Sequence, residues 1–260
     1  MNDPLPAAPP PDCKVVLVTG ASRGIGAAIA QRFARDDARV VGVSRTEPEP
    51  ARGVEFLCAD VSCPEDIERS VTEVVRRHGR LDVLINNAAV EHEGTVVDTT
   101  VEEWDHVMAV NLRSVFLYAK HAIPHLRRSR GVIVNIASID GLWAEPSLAA
   151  YCAAKGGVIA LSRAIAIDHG HEGVRCMCIC PSYVKTDMLE QFFDAQPDPP
   201  GARSEAAGLH PLGRISTPDE VAALAVWLSS DEAGFATGQA YVLDGGLTAG
   251  RTLAQRAHGS

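Results

Sequence analysis

From Lys14 onward, short runs dense in valine and isoleucine alternate with longer stretches in which apolar residues recur at helical spacing. The runs predict strands at Val15 to Thr19, Arg39 to Ser44, Glu55 to Cys58, Val83 to Asn86, Gly131 to Ala137, Arg175 to Cys180 and Ala240 to Leu243. They are almost continuously hydrophobic, which means that both faces of each strand are buried and helices cover the sheet on both sides. The expected fold class is α/β, a doubly wound parallel sheet of about seven strands.

Helix starts are marked by polar signals. Ser62-Cys63-Pro64-Glu65 and Thr100-Val101-Glu102-Glu103 each set a hydroxyl three residues before a carboxylate, as a capping box does. Thr217-Pro218-Asp219-Glu220 adds a proline at the first helical position. The crossover from Arg45 to Gly53 holds Pro48 and Pro50 and is too short for a full helix. Ala195 to Gly208, with Pro197, Pro199, Pro200 and Gly201, reads as a mobile loop or lid in a substrate-loop region near 187–210. Five prolines in residues 1–12 suggest a flexible segment ahead of a single domain at 13–260.

A hydrophobic share of 46% excludes a disordered chain. With 33 acidic against 24 basic side chains, the net charge of -9 offers no footprint for nucleic acid or an anionic membrane. No apolar run of about 18 residues and no secretory pattern at the start lead to the expectation of a soluble, cytoplasmic protein. Seven cysteines without a CxxC pair suit a reducing compartment. Cys176, Cys178 and Cys180 alternate along one strand and read as packing, so no metal site is expected.

The first strand ends in Thr19-Gly20-Ala21-Ser22-Arg23-Gly24-Ile25-Gly26, a GxxxGxG loop leading into a helix. Glycines there let backbone approach a pyrophosphate, which helix N-terminal amides then hold. After the second strand come Ser44, Arg45 and Thr46, with no acid until Glu47. A carboxylate at the strand end would take the ribose hydroxyls of NAD, whereas Arg45 and Arg23 suit a 2'-phosphate, so NADP is expected and NAD is the alternative through Glu47. Tyr151 and Lys155 lie four apart in a helix-favouring segment and share a face. An ammonium beside a phenol stabilises phenolate, and such a pair can donate or accept a proton. Ser138 ends the strand before them, at the carboxyl edge where the glycine loop also lies.

Together with Asp60-Val61, Asn86-Asn87-Ala88, Asn111, the stretch Pro181 to Thr186 and Asp244-Gly245-Gly246, these motifs make the chain resemble a short-chain dehydrogenase/reductase, with general similarity to 3-oxoacyl-acyl-carrier-protein reductases. The resemblance runs from Val15 to about Gly246 and implies a Rossmann-type sheet and hydride transfer between NADP(H) and a carbonyl or secondary alcohol. It implies Tyr151 as general acid/base, Lys155 as its pKa-lowering partner and ribose contact, Ser138 as hydrogen-bond partner of the substrate oxygen, and Asn111 as holder of a relay water. Gly20, Ser22, Arg23, Gly24, Ile25, Gly26, Ser44 and Arg45 become cofactor contacts. Asp60, Val61, Asn87 and Ala88 would line the adenosine, and Pro181, Val184 and Thr186 the nicotinamide end, with Thr186 on the carboxamide. Substrate contacts by family position are Glu91, His92, Ile139, Trp143, Tyr183 and Met188, with Asp140, Glu145 and Phe192 beside them. Their chemistry suggests a compact, polar substrate that is not strongly anionic.

Ala89 and Ser182 stand where the family has glycine, and Met177 where it has asparagine; none of these removes a catalytic group. A dimer or tetramer is expected through the helices Asn111 to Leu126 and Tyr151 to His169. The alternatives are an NAD-dependent alcohol dehydrogenase of the same family and, from another class, a dinucleotide-binding regulator or scaffold without turnover. Retention of Asn111, Ser138, Tyr151 and Lys155 together favours the enzyme.

Overall fold

Seven parallel strands form one sheet in the order β3-β2-β1-β4-β5-β6-β7 in a computed structural model that describes residues 13–46 and 53–250. The strands are β1 (Val15–Thr19), β2 (Arg39–Ser44), β3 (Val54–Cys58), β4 (Val83–Asn86), β5 (Val132–Ile136), β6 (Arg175–Pro181) and β7 (Ala240–Leu243). Each expected strand is present, with ends shifted by a residue at most. The proline-rich residues 1–12 and the crossover residues Glu47, Pro48 and Pro50 lie outside the described residues.

Side-chain alternation along β1 shows why the strands read as continuous apolar runs. Val15 and Leu17 point to one face, against α2 (Pro64–His78), α4 (Ser114–Ser129) and α5 (Ala149–His169), through Ile67, Val71, Leu126 and Ile165. Val16 and Val18 point to the other, against α1 (Gly24–Arg35) and α8 (Pro218–Leu228), through Ile29, Phe33, Val221 and Ala225. All four β1 residues are 0% exposed. Cys176, Cys178 and Cys180 are likewise buried in β6. By length and composition α5 is apolar enough to span a membrane, although Lys155 and Arg163 interrupt its apolar run, and here it packs on β6.

Four local expectations meet different outcomes. At Thr100 the box forms at the start of α3 (Val101–Met108): the Glu103 amide donates to the hydroxyl at 3.2 Å, and the Thr100 amide donates to the Glu103 carboxylate at 2.8 Å. At α8 the Glu220 carboxylate accepts from the Thr217 amide at 2.9 Å. Ser62 does not cap α2; Cys63 occupies that place, and the Ser62 hydroxyl instead donates to Asp60 at 2.7 Å. The stretch expected to be a loop is mostly helix: α6 (Asp187–Asp194) is followed by α7 (Pro199–Gly208). Pro199 and Pro200 fall in the first turn, where no amide hydrogen is needed, and Asp198 accepts from the Gly201 amide at 3.1 Å.

The strand order reverses between β1 and β4, so loops leaving their carboxyl ends diverge and open a crevice. The candidate site lies there.

Candidate functional site

A cavity of about 650 Å³ runs along the carboxyl edge of the sheet. Its first wall is the loop between β1 and α1, to which Gly20, Ser22, Arg23, Gly24 and Ile25 contribute. Gly20 has φ +64°, and a Cβ on it would lie 2.9 Å from the Ala88 Cα. Gly26, expected as a cofactor contact, does not line the cavity. It packs beneath the loop, where a Cβ would come within 2.2 Å of the Gly20 carbonyl oxygen. Asn87 braces the same loop by donating to the carbonyls of Thr19 and Gly20 at 3.0 and 3.1 Å, while still facing the cavity. No side chain caps the N-terminus of α1, and its first turn holds no acid. Free amides, a positive helix end and glycine backbone make a cradle that fits a pyrophosphate.

Beyond this loop, Ser44, Arg45, Asp60 and Val61 form the outer wall, with Ala88 across from them. Asp60 accepts from the Ser62 amide and hydroxyl, which together with nearby Arg45 hold its carboxyl below the usual range. It is therefore an ionised acceptor at the cavity wall. Glu47 lies outside the described residues.

At the other end, β5 and α5 bring Ser138, Tyr151 and Lys155 together. Lys155 donates to the Ile136 carbonyl at 2.8 Å, and its nitrogen lies 5.4 Å from the centre of the Tyr151 ring. Burial pulls the ammonium pKa down to about 8. The expected lowering of the Tyr151 pKa is not what the structure shows. Burial of the phenol, and after it the carboxylates of Glu91 and Asp140, push it up, opposed by its hydrogen bond with Ser138. Asn111 does not reach the cavity. It lies, 1% exposed, in a π-helical turn, Ala109–Arg113, between α3 and α4, and its amide is spent on both the N–H and the carbonyl of Val90. That pairing fixes the loop after β4.

Comparison with known proteins decides the family. A family model described as enoyl-(acyl carrier protein) reductase matches residues 20–248. The meso-2,3-butanediol dehydrogenase of Serratia marcescens is 40% identical over 246 residues, 92% of this chain and 96% of its own length. The L-fucose dehydrogenase of Bos taurus is 39% identical, with 91% and 90% covered. The ligand-free aldohexose dehydrogenase of Thermoplasma acidophilum superposes with a TM-score of 0.89 at 34% identity, covering 94% of this chain and 97% of that one. The chain belongs to the short-chain dehydrogenase/reductase family. It is an oxidoreductase of that family, whose dehydrogenases use a nicotinamide dinucleotide, and the cradle at α1 fits such a group.

In this dehydrogenase/reductase, Pro181, Val184 and Thr186 close the cavity over the glycine loop. A Cβ on Gly24 would lie 3.3 Å from the Thr186 methyl, so the two segments face each other closely. Thr186 also caps α6, accepting from the Leu189 amide at 3.4 Å. Of the expected substrate contacts, Glu91, Ile139, Tyr183 and Met188 line the cavity, as do Asp140, Glu145 and Phe192. His92 and Trp143 do not. Glu103, whose carboxylate also caps α3, draws His92 outward to 3.3 Å, and Trp143 is 59% exposed just past a 3-10 turn.

Ser138 donates to Asp140 at 2.8 Å, and the Tyr183 hydroxyl donates to Glu145 at 3.0 Å. Burial raises the carboxyl pKa values of Glu91, Asp140 and Glu145, and each is raised further or held up by its acidic neighbours except Asp140, which Ser138 and Lys155 pull back. Residues that sequence reasoning missed include Glu93, His106, Leu189 and Gln196. For Leu189 a signal existed: 188, 189 and 192 fall on one helical face, hidden by the prolines that follow.

The buried ammonium makes stability depend on pH. Its folded value of about 8 lies below the ordinary 10.5, so between the two the unfolded chain binds more protons and stability rises with pH. Lys155→Met is expected to lose this rise, which reaches roughly 1 kcal/mol per pH unit in wild type. Urea melts at pH 7, 8, 9 and 10 measure it; parallel curves for the two proteins contradict the burial of a charged amine.

Proposed function

We propose that the protein is an NADP(H)-dependent oxidoreductase that interconverts a carbonyl and a secondary alcohol, with Tyr151 as general acid/base. The observation that carries this reading is the convergence of Tyr151, Lys155 and Ser138 at one end of the cavity whose other end is the uncapped start of α1. When bound, the dinucleotide supplies or accepts the hydride. In reduction the Tyr151 phenol gives its proton to the substrate oxygen while the carbonyl carbon gains the hydride, which leaves a CH–OH group. The raised phenol pKa keeps that proton in place at neutral pH, and in oxidation the phenolate takes it back. Ser138, turned from Asp140, donates to the substrate oxygen as negative charge develops on it. Lys155 holds positive charge behind the phenol and sits where ribose hydroxyls would meet it.

Arg45 and Arg23 support NADP(H): both line the cavity, and Ser44 ends β2 in place of an acid. Arg45→Ala is expected to weaken NADPH binding about tenfold to a hundredfold and NADH binding less than threefold, as for loss of one charge-assisted bond. Fluorescence titration with each dinucleotide measures this, and equal losses overturn the cofactor assignment.

Glu91, Asp140 and Glu145 line the substrate end, where a carboxylate or phosphate on the substrate would meet like charge and hydroxyls would find acceptors. The substrate is therefore a compact neutral molecule bearing hydroxyl groups, in keeping with the relatives named for butanediol, fucose and aldohexoses. Association into a homo-oligomer would use α4 and α5, whose outer faces expose Phe116 and Ile167.

A further inference from the structure

Ser182, in the segment just after β6, has a partner for its hydroxyl. It lies 2.8 Å from Nε2 of His210, a residue 3% exposed just beyond the end of α7. The other ring nitrogen, Nδ1, lies 2.8 Å from the Ala206 carbonyl in α7. A carbonyl can only accept, so Nδ1 carries a proton, and Nε2 of the neutral ring accepts from the Ser182 hydroxyl. The imidazole thus ties the segment after β6 to α7 by two different atoms. A histidine that merely filled space would not need both.

What hangs on each end of this tie matters more than the tie itself. On one side the residue after Ser182 is Tyr183, which lines the cavity, donates to Glu145 and meets the His210 ring edge-on at 6.0 Å. On the other side α7 grips α6 through Arg203, which bonds Glu190 at 2.9 Å and Asp194 at 2.5 Å and covers the Phe193 ring. α6 in turn sends Met188 and Phe192 into the cavity. His210 itself stays outside.

We propose that His210 is a positioning residue for the substrate end of the site: through Ser182 and Ala206 it holds α6 and α7 against the Tyr183 step and so sets how Tyr183, Met188 and Phe192 meet the substrate. This rests on the oxidoreductase reading of the cavity. The test is a double-mutant cycle of Ser182→Ala and His210→Ala. Each single variant is expected to raise KM for the carbonyl substrate about five- to tenfold, with kcat within about threefold and NADPH affinity within about twofold. The double variant should do no more than either single one. Unchanged KM in Ser182→Ala, or single effects that multiply in the double variant, overturns the tie. A readout independent of turnover is amide hydrogen exchange: residues 187–208 should exchange at least about tenfold faster in Ser182→Ala while β1 and β2 stay unchanged. Unaltered exchange there also defeats the proposal. Faster exchange in Ser182→Ala, together with a wild-type protein that reduces no carbonyl compound, would instead defeat the oxidoreductase reading and leave the tie standing.

Discussion

Tyr151→Phe is expected to lower turnover by about a thousandfold while leaving NADPH binding within about twofold of wild type. The substitution removes one oxygen and keeps the ring that packs near Lys155, so the cavity changes little in shape. What it removes is the proton. The phenol is held protonated by its burial and by the carboxylates of Glu91 and Asp140, which is the state required of an acid in carbonyl reduction. Other groups at this end are poor substitutes: Ser138 is a far weaker acid, and the Lys155 ammonium faces the Ile136 carbonyl. Single-turnover reduction by bound NADPH, followed by its absorbance, separates chemistry from binding. A variant that retains more than about a tenth of the wild-type rate would place the proton donor elsewhere.

Gly26→Ala is expected to cost about 3 kcal/mol of stability and to weaken dinucleotide binding more than tenfold. Its Cβ would lie 2.2 Å from the Gly20 carbonyl oxygen and 2.4 Å from the Asn87 amide nitrogen, and the first of these is backbone that cannot rotate away. Either α1 lifts from the loop or the loop deforms, and in both cases the amides that face the cavity move. Chemical denaturation gives the first quantity and titration with NADPH the second. A variant melting within about 0.5 kcal/mol of wild type would show that α1 has slack the packing does not reveal.

Both arguments use residues that the sequence marks plainly, and the reason is physical. β1 buries side chains on both faces, so its run of valines and leucine has no competing interpretation as an amphipathic element. The glycines around it are required by backbone approaches that any Cβ would spoil. Less was legible where the outcome depends on partners distant in the chain. The Tyr151 pKa is raised first by burial and then by Glu91 and Asp140, groups far away in the chain, and no spacing rule reveals that. His92 turns to Glu103 because a helix start there already holds a carboxylate. Asn111 sits in a π-helical turn that its helix-favouring neighbours do not announce. Prolines at 199 and 200 hid α7 because they break helices everywhere except the first turn, where they lie.

The cavity is assembled from three stretches of chain that meet at the rim of the sheet. Residues from Gly20 to Val61, with Asn87 and Ala88, build the end suited to the adenosine and pyrophosphate, and those from Ser138 to Gln196, with Glu91, build most of the end suited to the substrate. Strands β1 and β4, joined side by side in register from Val16 with Val83 to Val18 with Ile85, keep the two ends at a fixed distance. Coenzyme preference and substrate preference are in consequence separately rewritable traits: a new selectivity installed at Ser44 and Arg45, after β2, need not disturb the residues that meet the substrate.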